Sequence, residues 1–163
     1  MSASEAPARH LPGRYFEDLV VGETTRSKDR VVDGEDMVAF ARRYDPQFFH
    51  ADAEAAKGSL FGGLIASGIY TAALWRIMDH AENGNIAFVC GVAWENVRWA
   101  SALRAGDTIH ATSELKSTRP SGKRPDTGVA IFHHEVRKAG GEVVLAFDSV
   151  DLVYRRPSNP VTL

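Results

Sequence analysis

Apolar and polar positions alternate along this chain in more than one rhythm, and each rhythm predicts a different element. From Thr24 to Val32 they alternate as along a half-exposed strand. Met37, Phe40, Ala41 and Tyr44 then recur at i, i+3, i+4 and i+7, one face of a helix. Asp33 is placed to cap that helix, with Asp36 three residues on, and Pro46 ends it. A short helix follows over 52–58, with an acidic start and a glycine stop. Beyond Gly62-Gly63, Ser67 caps a further helix running to about Asp79. Ile69, Ala72, Ala73, Arg76 and Ile77 share helical spacing there, while Leu74, Trp75 and Met78 make most other faces apolar. A helix apolar nearly all round is expected to be enclosed.

From Ile86 onward the pattern becomes that of long strands. Ile86 to Trp99, Thr108 to Thr118, Gly128 to Lys138 and Val143 to Arg155 are rich in Val, Ile, Phe, Trp and Thr. The third alternates cleanly, with Val129, Ile131, His133 and Glu135 on one face and Ala130, Phe132, His134 and Val136 on the other. Gly140-Gly141 makes a tight hairpin, Gly106-Asp107 another turn, and 119–128 a longer polar loop. Tyr15 to Glu23 reads as a short extended segment followed by a turn. Strand, helices, then an antiparallel meander is an α+β order, with the sheet curling around the enclosed helix.

Composition narrows the classes. The 163 residues suit one domain, expected over 14–163 behind a loose, Ala-, Ser- and Pro-rich tail at 1–13. With a formal net charge of −2, a nucleic-acid partner is not expected. No apolar run is long enough for a membrane span, and the first residues carry no signal-peptide core, so a cytoplasmic location is the expectation. The single cysteine, Cys90, excludes an intrachain disulfide and reads as a small buried apolar group. His133 and His134 face opposite sides of their strand and so do not make a metal pair, and His10, His80 and His110 are isolated in sequence. No glycine-rich phosphate loop is present.

The stretch from Asp45 to Gly68 carries the chemistry. Asp45 and His50 stand five positions apart across Pro46, a carboxylate and an imidazole able to hold one water between them and take its proton. The bland alternative is a turn aspartate and a packed histidine beside Phe48 and Phe49. Ser67-Gly68 opens the apolar helix, where the first amides lack internal partners and sit at the positive end of the dipole. A glycine there lets a carbonyl oxygen approach, and its amide can hold the enolate-like oxyanion formed when a thioester is attacked at its β-carbon. Alternatively it merely permits tight packing. Arg119, Lys123 and Arg124 lie in the densest basic segment, which suits either a phosphate-bearing arm or a solvated hairpin tip. Arg98 and Arg104 flank Trp99 and could add to such a contact.

Asp45-Pro46-Gln47-Phe48-Phe49-His50 resembles the Asp-x-Asn-Pro-x-His motif of the MaoC-like hydratases, the (R)-specific enoyl-CoA hydratases or hydratase 2 family. Phe61-Gly62-Gly63-Leu64-Ile65-Ala66-Ser67-Gly68, the run from Tyr15 to Gly22, and Val97-Arg98-Trp99 followed by Gly106-Asp107 are similar to its other recurrent segments. The resemblance implies a hot-dog fold, a long antiparallel sheet wrapped around one helix, usually as a homodimer or higher homo-oligomer. It implies reversible syn addition of water to a trans-2-enoyl-CoA, giving an (R)-3-hydroxyacyl-CoA. Asp45 and His50 would activate the water and Gly68 N–H would polarise the thioester carbonyl. Ser67, Arg119, Lys123 and Arg124 would bind substrate at the dimer interface, with no metal and no cofactor beyond the coenzyme A of the substrate. Gln47 and Phe48 stand where Asn and Pro are usual, and Phe48 is expected to bear on pocket width beside His50. An acyl-CoA thioesterase on the same fold and a non-catalytic acyl-CoA-binding subunit are the alternatives, and the Asp-to-His spacing favours hydration.

Overall fold

A computed structural model describes residues 12–157 of the chain. Most of the expectation for a tail at 1–13 therefore lies outside the described residues, although Gly13 N–H already bonds to Asn85 O at 2.8 Å.

A 3-10 turn at Phe16–Asp18 leads into β1 (Thr24–Arg26), β2 (Arg30–Val31), α1 (Gly34–Tyr44), α2 (Phe48–Ala51), α3 (Ala53–Ala56) and α4 (Gly68–Asn83). Four long strands follow, β3 (Phe88–Trp99), β4 (Thr108–Pro120), β5 (Thr127–Lys138) and β6 (Val143–Tyr154). The strands pair antiparallel with one another in the order β1-β4-β5-β6-β3, with β2 also on β4, and one isolated parallel bridge joins Arg14 to Ile86. The sheet curls around α4, the hot-dog architecture.

Local chemistry explains the elements. Asp33 Oδ1 accepts from the amides of Glu35 and Asp36 at 2.8 and 3.2 Å and starts α1. Asp52 does the same for Glu54 and Ala55, starting α3. Gly141 and Gly106 turn the chain with positive φ: Gly141 N–H donates to Lys138 O at 2.8 Å in the β5–β6 hairpin, and Gly106 sits in the turn that Asp107 N–H closes on Arg104 O at 3.2 Å before β4. On β5 it is Ala130, Phe132, His134 and Val136 that face inward, and on β4 Ile109, Ala111 and Leu115 do so. Ile109, Ala111 and Val136 pack with Tyr70, Leu74, Trp75 and Met78 of α4 and Met37 of α1 in the main core between helix and concave sheet, while Leu115, Ala130 and Phe132 join Ile86 and Val153 in a second cluster.

Four expectations need correction. The run from Thr24 to Val32 is broken, because Ser27 turns inward to accept from Ala111 N–H through Oγ at 2.9 Å, and two short strands result. After an extended Tyr15 the chain makes a 3-10 turn over Phe16–Asp18 where a longer extended segment was expected, and Asp18 accepts from Tyr15 N–H at 2.8 Å. Cys90 is exposed, because β3 is the edge of the sheet and not a central strand. α4 is enclosed on one side only: Ile69, Ala73 and Ile77 form an exposed apolar stripe on the other.

The β3 edge is irregular, with register shifts near Cys90, Gly91 and between Glu95 and Arg98. At the last of these Asn96 adopts φ 54°, a left-handed conformation that asparagine tolerates better than most residues. Its amide donates to Asp148 Oδ2 at 2.8 Å.

Asp33→Ala removes both cap bonds of α1, and a loss of about 1 kcal/mol of stability is expected. It should appear as a lower urea midpoint with unchanged slope.

Candidate active site

Pro46 cannot continue α1, and it keeps the preceding residue out of helical geometry. Asp45 accordingly ends the helix at φ −151°, ψ 70°, turned toward the start of α4. The chain then makes the single turn α2, which sequence periodicity is too short to reveal, and His50 falls in it, buried. Segment 65–67 is clipped to this turn from both sides. Ile65 N–H donates to Phe49 O at 3.1 Å, and Ile65 O lies 2.8 Å from His50 Nδ1.

That second contact fixes the ring. A carbonyl can only accept, so Nδ1 carries the proton, and in the neutral imidazole Nε2 presents a bare lone pair. Nε2 stands 3.6 Å from Asp45 Oδ2. A carboxylate and an unprotonated nitrogen are both acceptors, and at this separation they need a donor placed between or in front of them. A water molecule supplies two.

Ser67 holds the carboxylate. It is fully buried; its hydroxyl donates to Asp45 Oδ2 at 2.6 Å and accepts from Ile69 N–H at 3.2 Å. Both capacities are thus used inside the protein, so Ser67 orients Asp45 and caps α4 but does not line the cleft. Its capping was legible in the sequence; its bond to Asp45 was not, because a contact between residues this far apart leaves no spacing signal.

Gly68 follows with an N–H that has no acceptor among the described residues. Its missing side chain has a second consequence. Trp99 Nε1 donates to Gly68 O at 3.0 Å, and a Cβ on Gly68 would come within 2.7 Å of that indole. The glycine therefore seats Trp99 as well as exposing the amide, and both readings of the Ser-Gly helix start hold together.

These groups open onto a cleft of about 600 Å³, walled by Phe61, Ile65, Ile69, Trp99 and Leu103 with Asp45, His50 and Gly68 at its polar end. Phe48 is not among the walls. It is half exposed and packs edge-on against Phe49, whose ring in turn packs on His50 at 4.5 Å, so its bulk is directed away from the pocket. Phe61 narrows the cleft in its place. Arg119, Lys123 and Arg124, at the β4–β5 hairpin, do not line it. The cation this chain places beside it is Arg104, held by Phe61 O at 2.7 Å and Leu64 O at 3.3 Å. Among the described residues no group of three or more His, Cys, Asp or Glu is arranged to hold a metal, and no helix is long and apolar enough to cross a membrane.

Comparison with known proteins places the chain among its relatives. The profile of the MaoC like domain matches residues 18–135. The uncharacterized protein YdeM of Bacillus subtilis is 38% identical over 118 residues, spanning 70% of this chain and 80% of that protein. A MaoC-like dehydratase from Rhodospirillum rubrum superposes with a TM-score of 0.83 at 36% identity, covering 89% of this chain and 99% of the other. An (R)-hydratase from A. caviae involved in PHA biosynthesis superposes with a TM-score of 0.67 over 86% of this chain and 99% of its own, at 19% identity, a likeness of fold alone. With the profile spanning most of the chain, the chain belongs to the MaoC-like domain family.

Proposed function

We propose that this protein is a hydratase/dehydratase that adds water reversibly to the double bond of a 2-enoyl-CoA thioester, giving an (R)-3-hydroxyacyl-CoA. One observation carries the reading: two acceptors, Asp45 Oδ2 and His50 Nε2, face each other across 3.6 Å beside an unpaired helix-start amide. That arrangement holds a water by both its protons.

In the forward direction the water oxygen forms the bond to C3 as one of its protons passes to the Asp45–His50 pair. The π electrons move toward the thioester carbonyl, and the enolate oxygen rests on Gly68 N–H at the positive end of α4. C2 then takes a proton from the same pair. One acid–base pair on one side of the substrate gives syn addition. Hydrolysis of the thioester would instead need water aimed at the carbonyl carbon, and it would release thiol.

The active assembly is proposed to be a homodimer. β3 is an open antiparallel edge bearing exposed Val92, Trp94 and Trp99, and beside it runs the uncovered stripe Ile69, Ala73 and Ile77. An antiparallel edge can pair with its own copy about a two-fold axis, and such closure removes an edge that otherwise invites uncontrolled pairing. The catalytic cleft ends at Trp99 on this edge, so a second copy would complete its wall. Any phosphate contact from Arg119, Lys123 or Arg124 would come across that interface.

With crotonyl-CoA, loss of the conjugated enoyl absorbance without free thiol is the expected result. Thiol release would assign a thioesterase, and no reaction with any enoyl-CoA would assign a binding subunit. Asp45→Asn and His50→Gln should each lower turnover by ~10²–10⁴-fold with unchanged circular dichroism. Gly68→Ala keeps the amide but unseats Trp99; a cost of about 1–3 kcal/mol in stability is expected, together with a shifted tryptophan emission. Val92→Glu should convert the dimer to monomer in light scattering and lose hydration while keeping its secondary structure.

A further inference from the structure

Two stretches of chain run antiparallel along the cleft that holds Asp45 and His50, 61–68 on one side and 99–104 on the other. Trp99 Nε1 donates to Gly68 O at 3.0 Å, and Leu103 O accepts from Ala66 N–H at 2.7 Å. The Arg104 guanidinium then reaches Leu64 O at 3.3 Å and Phe61 O at 2.7 Å. Each contact steps forward on one stretch and back on the other. The order of residues along 61–68 is therefore also an order along the cleft.

The groups of the proposed reaction follow that order. Gly68 offers its amide at the Trp99 end. Asp45 is bonded to Ser67 and His50 to Ile65, so the acid–histidine pair comes next. Phe61 comes last, on the far side of the pair from Gly68. Its ring packs on Phe49 at 5.6 Å between centroids, and the Phe49 ring packs on His50 at 4.5 Å. The N–H groups of Phe61 and Gly62 make only local bonds, both to Ser59, at 3.2 and 3.0 Å. It is Arg104 that ties this exposed loop to the opposite wall.

A bound enoyl thioester has to respect the same order. Its carbonyl oxygen belongs at Gly68 N–H, and its C3 belongs at the water between Asp45 and His50. The direction from C1 to C3 thus runs from Gly68 toward Phe61, and C4 and the atoms beyond it continue that way. The sulfur and the pantetheine leave by the Trp99 end. Beyond the pair the walls are Phe61, Ile65 and Leu103, which offer no polar side chain, and two ring contacts are all that separate Phe61 from His50. We propose that Phe61 ends the acyl pocket as its specificity-determining residue and that Arg104 is the residue that positions it. The inference rests on the hydratase reading above and names its substrate class, 2-enoyl thioesters with a short, apolar acyl chain.

The test is kcat/KM for crotonyl-, 2-hexenoyl-, 2-octenoyl- and 2-decenoyl-CoA, with one carboxylate-ended 2-enoyl-CoA beside them. For the wild-type protein the value should fall steeply beyond one length. Phe61→Ala should move that fall to a longer member, raising the ratio of the first excluded chain to crotonyl-CoA by ~10-fold or more. Should that variant fail to fold, Phe61→Leu reads the same ratio. Arg104→Met should shift the ratio in the same direction by a smaller factor, and Arg104→Lys, which keeps a donor for Phe61 O, should restore it. Hydration with no length limit, or with a limit that Phe61→Ala does not move, would overturn the inference and leave the hydratase reading standing. An equal rise in KM for every chain in Arg104→Met would overturn the positioning role and assign Arg104 to the phosphates of coenzyme A. A preference for the carboxylate-ended member would overturn the apolar class. No hydration of any member would overturn the hydratase reading and this inference with it.

Discussion

The hydroxyl of Ser67 is the joint on which the catalytic arrangement depends. It accepts the Ile69 amide and so begins α4, and it donates to Asp45 and so fixes the end of α1. One buried side chain thereby sets the distance between the carboxylate and the first free amide of the central helix. His50 is registered to the same segment through Ile65 O, two residues before Ser67. The proposed acid–base pair and the proposed oxyanion donor are therefore positioned by a single stretch of backbone, 65–68, and not by three independent loops. Such a constellation keeps its geometry because moving one member moves the others.

The sequence made the fold legible where local rules are strong. Asp33, Asp52 and Ser67 cap helices as their residue types suggest, and the alternation on β5 assigns its inner and outer faces correctly. What was not legible depends on neighbours that no local pattern encodes. Cys90 sits in an apolar run and reads as core, yet β3 is the last strand of the sheet, so the same residues lie at an open edge. The apolar stripe of α4 misleads in the same way: Ile69, Ala73 and Ile77 look like enclosed positions, and within one chain they are not. In both cases hydrophobicity points to burial, while the single chain supplies only part of the cover.

For the site, the pairing of Asp45 with His50 could be read from spacing across Pro46, whereas the tautomer of His50 could not. It follows from Ile65 O, which approaches only after the chain has doubled back. Phe48 shows the complementary error. Adjacency in sequence suggests bulk beside His50, but a one-turn helix directs neighbouring side chains apart, and Phe49 and Phe61 take the inner positions.

The two ends of α4 differ in a way that follows from the helix itself. Its amide end carries partial positive charge and suits an oxygen that becomes negative during reaction. Its carbonyl end carries partial negative charge and adds to the cost of ionising a buried acid there, in keeping with an Asp79 carboxyl that burial already holds toward its neutral form. The thioester carbonyl is neutral before attack, so the positive end of α4 would act on it chiefly as charge develops on its oxygen, which favours the transition state over the bound substrate.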